Sequence, residues 1–187
     1  MNANKVIATL FAEANPKLYN ITHYLMSILL FITSVGLGMT WYLSLFLILA
    51  GFFFWLFLEY VIHRYVFHFK SKNATIRKLV YAMHGVHHAK PKDEEFFNVP
   101  LVPAVILWSI IITLSYIIFG IYSFPLVSGT MLMHLYYNYI HYVIHKEKTN
   151  NKYLKLIKKN HMKHHHKDPT KNFGVTNVFF DKIFQTY

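Results

Sequence analysis

Two stretches of this chain carry no Asp, Glu, Lys or Arg: residues 18–58 and residues 96–145. Each is far longer than the roughly 20 apolar residues that one helical crossing of a bilayer needs, and each fits two crossings joined by a tight turn. Gly36, Gly38 and Thr40 break the first run, and Gly120, Ser123 and Pro125 break the second. The pattern predicts four transmembrane helices in two hairpins, near residues 22–38, 42–62, 101–119 and 125–145. With 55% hydrophobic and only 14% charged residues, the chain is too apolar for an ordinary soluble domain. The expected fold is an all-α membrane protein, a single domain over residues 1–187.

Sidedness follows from the basic residues. They fall in the N-terminal segment, the 63–95 connection and the tail after His145, and neither short turn carries one. An even number of crossings puts all three segments on one side, which the positive-inside rule makes the cytoplasm. The net charge of +11 is thereby explained by topology, and no nucleic-acid partner is expected. The opening Met1-Asn2-Ala3-Asn4-Lys5 leads into an amphipathic stretch rather than the apolar core of a signal peptide. Both termini are expected in the cytoplasm.

Four histidine clusters lie on that same side: His63 with His68; His84, His87 and His88; His141 with His145; and His161, His164 and His165. Nothing in membrane insertion requires that coincidence. On a helix, residues i, i+3 and i+4 share a face, so the two H-x-x-H-H motifs each present three imidazoles together. Leu154, Ile157, His161, His164 and His165 continue one apolar stripe, while Lys152, Lys155, Lys159 and Lys163 take the opposite side. Ile76, Leu79, Val80 and Met83 lead in the same way into His84. With no cysteine in the chain, any metal must be held by nitrogen and oxygen. A tetrahedral zinc site takes about four ligands; ten clustered imidazoles exceed one metal and suit two, with about five each. His63 and His68, five apart, either serve different metals or sit where the helix distorts. His23 and His134 are isolated and His166 points off its face, so these three read as ordinary histidines.

Imidazole alone leaves zinc, iron, copper and nickel open. Redox chemistry would favour iron; hydrolysis would favour zinc beside a carboxylate base. Carboxylates near the clusters are few: Glu59, Asp168 and Asp181. Glu59 either orients a ligand histidine or pairs with Arg64 or a lysine. The aromatic stretch of residues 173–180 is expected along the membrane interface.

Leu58-Glu59-Tyr60-Val61-Ile62-His63-Arg64-Tyr65-Val66-Phe67-His68, then His84-Gly85-Val86-His87-His88, His141-Tyr142-Val143-Ile144-His145 and the cluster from His161 to His165 resemble the fatty acid hydroxylase superfamily in order and spacing. The ending Asn172-Phe173-Gly174-Val175-Thr176-Asn177, with Phe180-Asp181, is similar to its fatty acid 2-hydroxylase branch, which acts beside the acyl carbonyl, often in sphingolipids. The resemblance runs from about Phe54 to Tyr187. It implies four crossings capped by a cytoplasmic helical domain, with His63, His68, His84, His87, His88, His141, His145, His161, His164 and His165 as ligands of a dimetal centre. It further implies two iron ions (zinc being possible in purified protein), dioxygen as co-substrate and a lipid acyl substrate. Eukaryotic members usually carry a cytochrome b-type haem domain, for which this chain has no room. A separate cytochrome b-type or ferredoxin-type carrier with its reductase is therefore expected. Many members have Asp where this chain has Asn138; with Glu59 and Asp181, Asn138 is expected to tune the ligands from behind.

The rivals are a sterol desaturase or carotenoid hydroxylase of the same superfamily, and a histidine-rich metal transporter. A transporter would need polar ligands in mid-membrane, where only His134 lies. Lys146, Lys148, Lys152, Lys155, Lys158, Lys159, Lys163 and Lys167 suit either an acidic electron carrier or anionic lipid headgroups. The membrane is expected to be a bacterial inner membrane or the endoplasmic reticulum.

Overall fold

A computed structural model of the protein describes residues 15–187; the expectations about residues 1–14 lie outside them. The described residues are helical, with no strand among them. Helix α1 is Pro16–Gly36, α2 Trp41–Val61, α3 Ala74–Val80, α4 Val86–Ala89, α5 Leu101–Phe119, α6 Ser123–Lys146, α7 Lys152–His166 and α8 Phe179–Ile183.

The first helix starts six residues before the expected span because of its capping. The Asn15 side chain accepts the Leu18 amide at 3.1 Å, and Pro16 supplies a fixed φ with no amide to satisfy. Gly38, at φ +89, reverses the chain into α2; Gly120, at φ +56, does so between α5 and α6. Three helical stretches are long and apolar enough to cross a membrane: Pro16–Gly36, Trp41–Phe67 and Glu94–Lys146. The third, at 53 residues, contains both α5 and α6. Trp108 against His134 and Tyr116 against Phe124, with ring centroids 5.5 and 5.7 Å apart, show α5 folded back along α6.

Helix α6 is the hub. At its crossing with α2, Gly129 faces the Ile48 carbonyl and Gly51 faces the Leu126 carbonyl so closely that a Cβ on either would overlap backbone. Such small-residue crossings serve helices that water does not drive together. Ser27 and Ser128 hydroxyls meet at 3.0 Å where α1 joins α6. Trp55, Trp108, Met131, Tyr137, Ile144 and Ile157 form the core between these helices. Outward positions are openly apolar: Phe53 and Ile117 are each 73% exposed. A soluble monomer does not carry such a surface.

The helix from α2 continues through a π-helical segment, Ile62–Phe67, and α3 joins α4 through another, Tyr81–Gly85. The stripe leading into His84 is not buried as expected: Ile76 and Leu79 are 39% and 51% exposed, while His84 itself is buried. On α7 the stripe is as expected, with Ile157, His161 and His164 buried and Lys152, Lys155, Lys159 and Lys163 exposed. The 173–180 stretch divides: Phe173 and Val175 are buried, while Phe179 is exposed. Its first half belongs to the core beneath the histidines rather than to an interface.

Candidate metal centre

The chain's ten clustered histidines come together at the α2–α6–α7 end of the bundle and sort into two pockets. One comprises His63, His68, His84, His88 and His164; the other comprises His87, His141, His145, His161 and His165. In each, one ring nitrogen per residue lies within 4.8 Å of all the others. Both H-x-x-H-H motifs are split between the pockets, with i and i+4 going to one and i+3 to the other. Seen along a helix the three share a face; at the scale of a coordination site, that face is wide enough to serve two centres.

Local structure explains the membership. A π-helical turn closes over five residues, so Ile62–Phe67 brings His63 and His68 into one pocket. On α6, His141 and His145 are i, i+4 and face the other pocket in regular α-helix. Asn151 starts α7 by accepting the Tyr153 and Leu154 amides, and that register aims His161 and His164 inward.

The geometry is that of converging acceptors. In the first pocket Nε2 atoms approach at 3.0 Å for His63 and His84, 3.1 Å for His84 and His88, 3.0 Å for His68 and His164, and 3.2 Å for His88 and His164. In the second, His161 Nε2 stands 3.1, 2.8 and 3.0 Å from those of His141, His145 and His165. His63 Nδ1–H donates to the Phe173 carbonyl at 2.5 Å, and His164 Nδ1–H donates to the Lys171 carbonyl at 2.7 Å. A neutral imidazole has one N–H, so these two bonds leave the inward Nε2 atoms as bare lone pairs.

Burial, ahead of neighbouring positive groups, keeps the rings neutral. It lowers His68 and His88 to about 4 and His164 to about 3, and it holds His84, His87, His161 and His165 well below the ordinary range. Neutral rings with lone pairs turned on one another at 3 Å repel unless a cation lies among them. Both nitrogens of buried His87 lack a partner among the described residues. The residues therefore fit metal ions, and the all-nitrogen set suits iron or zinc. The pockets touch where His88 and His165 stack, centroids 4.2 Å apart.

Three histidines stay outside. His23 and His134 lie in the bundle, and His166 is exposed, its centroid 6.0 Å from that of His165. Asn138 donates to the Asn20 side chain at 3.3 Å. Glu59 accepts from the Val175 and Thr176 amides at 2.5 and 2.8 Å and from the Thr176 hydroxyl. Asp181 accepts from the Phe173 and Gly174 amides at 2.8 and 2.7 Å. Neither carboxylate pairs with Arg64, which donates to the Tyr60 hydroxyl; among the described residues the one salt bridge is Lys146–Glu94.

Beside His63 and Glu59 opens a cavity with mostly apolar walls, among them Trp55, Ile62, Phe67, Ala104, Trp108 and Ile111. Sequence reasoning missed this cavity and the Phe173 and Lys171 carbonyls. Backbone acceptors carry no residue-type signal, and the cavity walls read as ordinary core.

A family model described as fatty acid hydroxylase matches residues 46–186. The chain is 33% identical over 144 residues to dihydroceramide fatty acyl 2-hydroxylase FAH1 of Arabidopsis thaliana, an alignment covering 75% of this chain and 60% of that protein. It is likewise 33% identical over 148 residues to fatty acid 2-hydroxylase of Mus musculus, covering 75% and 39%. The chain thus spans less than two thirds of these relatives. Among solved structures, full-length scs7p, of which only the hydroxylase domain is visible, superposes with a TM-score of 0.85 at 24% identity, covering 94% of this chain and 67% of that one. That likeness shows a shared fold.

Proposed function

The chain belongs to the fatty acid hydroxylase family, and from that premise we propose that it hydroxylates a membrane-held fatty acyl chain at the carbon beside the carbonyl. One observation carries the reading: of two adjoining groups of five converging histidines, the first reaches a mostly apolar cavity through the ligand candidate His63. The 2-hydroxylase names of the relatives FAH1 and the mouse enzyme support the position attacked.

Turning the C–H beside an acyl carbonyl into C–OH is a two-electron oxidation, which proton transfer to a side-chain base cannot accomplish without an oxidant. The carboxylate at the cavity, Glu59, is already taken up by three donors. Two metal ions, which we take to be iron, would be held by the ten histidines and supply the reductive activation of dioxygen. One oxygen atom enters the C–H bond and the other leaves as water, with two electrons and two protons provided by a separate carrier. This chain's residues do the rest. Nδ1–H bonds to backbone carbonyls fix the His63 and His164 rings and raise the basicity of their inward nitrogens. Trp55, Phe67 and Trp108 keep the acyl chain dry and lead it to the His63 edge.

The same reading makes α1, α2 with its π-helical extension, α5 and α6 four crossings in two hairpins of a single domain. The histidines and both ends of the chain then face the cytoplasm of a bacterial cell or the cytoplasmic side of the endoplasmic reticulum. The basic face of α7 faces the carrier or lipid headgroups.

The test is lipid mass spectrometry of cells expressing the chain or its His164→Ala variant. The intact chain is expected to add one oxygen to acyl lipids at carbon 2, and the variant to add none. The proposal falls if the intact, metal-loaded protein leaves every acyl lipid unoxidised.

A further inference from the structure

We infer that the two pockets hold their metals unequally, with the pocket of His63, His68, His84, His88 and His164 the retentive one, because a carboxylate-anchored strap orients its ligands. The inference rests on the proposal that both pockets bind metal.

The strap is the segment from Lys171 to Thr176. Its Lys171 and Phe173 carbonyls accept from His164 Nδ1 and His63 Nδ1, so two rings of the first pocket are fixed in orientation and tautomer. In the second pocket Nδ1 of His87, His141, His161 and His165 is buried without a partner among the described residues. Outer hydrogen bonds of this kind set ring orientation and ligand basicity, and losing one typically weakens metal binding about 10–100-fold.

Two carboxylates keep the strap in place. Asp181 receives the Phe173 and Gly174 amides and, at 2.7 Å, the Thr186 hydroxyl. Glu59 receives the Val175 and Thr176 amides and the Thr176 hydroxyl. Both are nearly fully buried. Asn172, at φ +56, turns the chain into the strap and its amide donates to the Thr186 carbonyl at 2.6 Å. Gly174 is required, since a Cβ there would overlap the Asn177 carbonyl and crowd Asp181. Among the described residues, neither Glu59 nor Asp181 forms a hydrogen bond with a ligand ring. They are positioning residues, acting on His63 and His164 through backbone.

The experiment follows metal loss from the purified full-length, metal-loaded protein under a strong chelator, with bound metal counted by mass spectrometry and helix content by circular dichroism. The wild type is expected to lose its two metals in two separate phases of equal amplitude. His145→Ala should remove the fast phase and His68→Ala the slow one. Glu59→Gln and Asp181→Asn, which keep shape but lose the charge that gathers three donors, should accelerate the slow phase about 10–100-fold and leave the fast phase alone. A general weakening of the fold would instead accelerate both. The inference is overturned by equal acceleration of both phases, by loss of both metals in one phase, or by disappearance of the fast phase in His68→Ala. The wild-type curve and the two histidine variants decide the matter even if neither carboxylate variant folds. Fewer than two metals in the untreated wild type would instead overturn the two-metal proposal on which the inference stands.

Discussion

The molecule buries histidines in two places, and it treats them differently. In the bundle, His23 donates through Nδ1 to the Tyr19 carbonyl at 2.7 Å and lies flat on the Tyr19 ring, 3.9 Å between centroids. His134 Nε2 accepts from the Tyr19 hydroxyl at 2.8 Å. Their rings are 5.6 Å apart, and each packs against Trp108. At the cytoplasm-facing centre of the proposed topology, ring nitrogens meet one another at about 3 Å. Burial is common to both places. What separates them is direction. In the bundle one nitrogen of each ring is taken up by Tyr19 and the other, His23 Nε2 or His134 Nδ1, meets no partner among the described residues, whereas in the pockets the Nε2 atoms turn toward one another. Convergence, more than burial or abundance, marks a ligand.

The sharpest way to break that comparison is to remove one histidine from each place. His161 Nε2 is the common neighbour of three others in its pocket. His161→Ala should drop bound metal from two per chain toward one and reduce hydroxylation at least about 100-fold, a larger loss than removing an outer partner causes. His134→Leu should keep both metals. Metal counts on the two purified variants check this; equal metal loss would erase the distinction between the two places.

How far the sequence discloses this contrast can be read residue by residue. The helices are legible because leaving charge out of residues 18–58 and 96–145 has so few physical explanations. The ten histidines are legible because isolated His23 and His134 differ in spacing from the clusters. Their sorting is not. His84, His87 and His88 share a helical face, yet two face one pocket and one the other. The π-helical turn that unites His63 with His68 has no composition of its own. Glu59 is conspicuous in the sequence, but its role depends on the amides of Val175 and Thr176, more than a hundred positions away, and an amide is the same on almost every residue.

A second break acts through the strap. Gly174→Val would force Cβ into the Asn177 carbonyl and displace Asp181. Metal in the first pocket should fall by about half or more at a chelator strength the wild type withstands, as expected when an outer partner is lost. The Tyr19, His23 and His134 cluster should be untouched. Near-ultraviolet circular dichroism of the aromatic bundle, unchanged while metal is lost, is the expected signature; collapse of both would show that the strap supports the whole fold.

A smaller effect comes from the bundle side. Tyr19→Phe removes the donor to His134 Nε2 and leaves a buried acceptor unpaired. Hydrogen bonds between membrane helices are worth about 1 kcal/mol or less, so melting should fall by roughly 2–4 °C for a chain of this size. Metal content should stay at two. A Tyr19→Phe protein that loses metal would mean the two histidine places are coupled, and the comparison would have to give way to a single extended site.

The smallest effect is the most pointed. His166 follows His164 and His165 directly, and by sequence alone the three form one run. In the structure it is exposed, and its centroid is 6.0 Å from that of its neighbour. If convergence defines the ligand set, adjacency counts for nothing, and His166→Ala should change neither metal content nor hydroxylation by more than about two-fold, the span of ordinary surface substitutions. The measurement is metal count and hydroxylated lipid for His166→Ala beside His165→Ala in the same preparation. His165→Ala should lose metal from the second pocket, since its Nε2 stands 3.0 Å from that of His161. Were the two variants equally impaired, the run would act as a unit and the division of α7 into a ligand face and a solvent face would fail. One step along a helix turns a side chain by about 100°, and that rotation is enough to move an imidazole from a metal pocket into water.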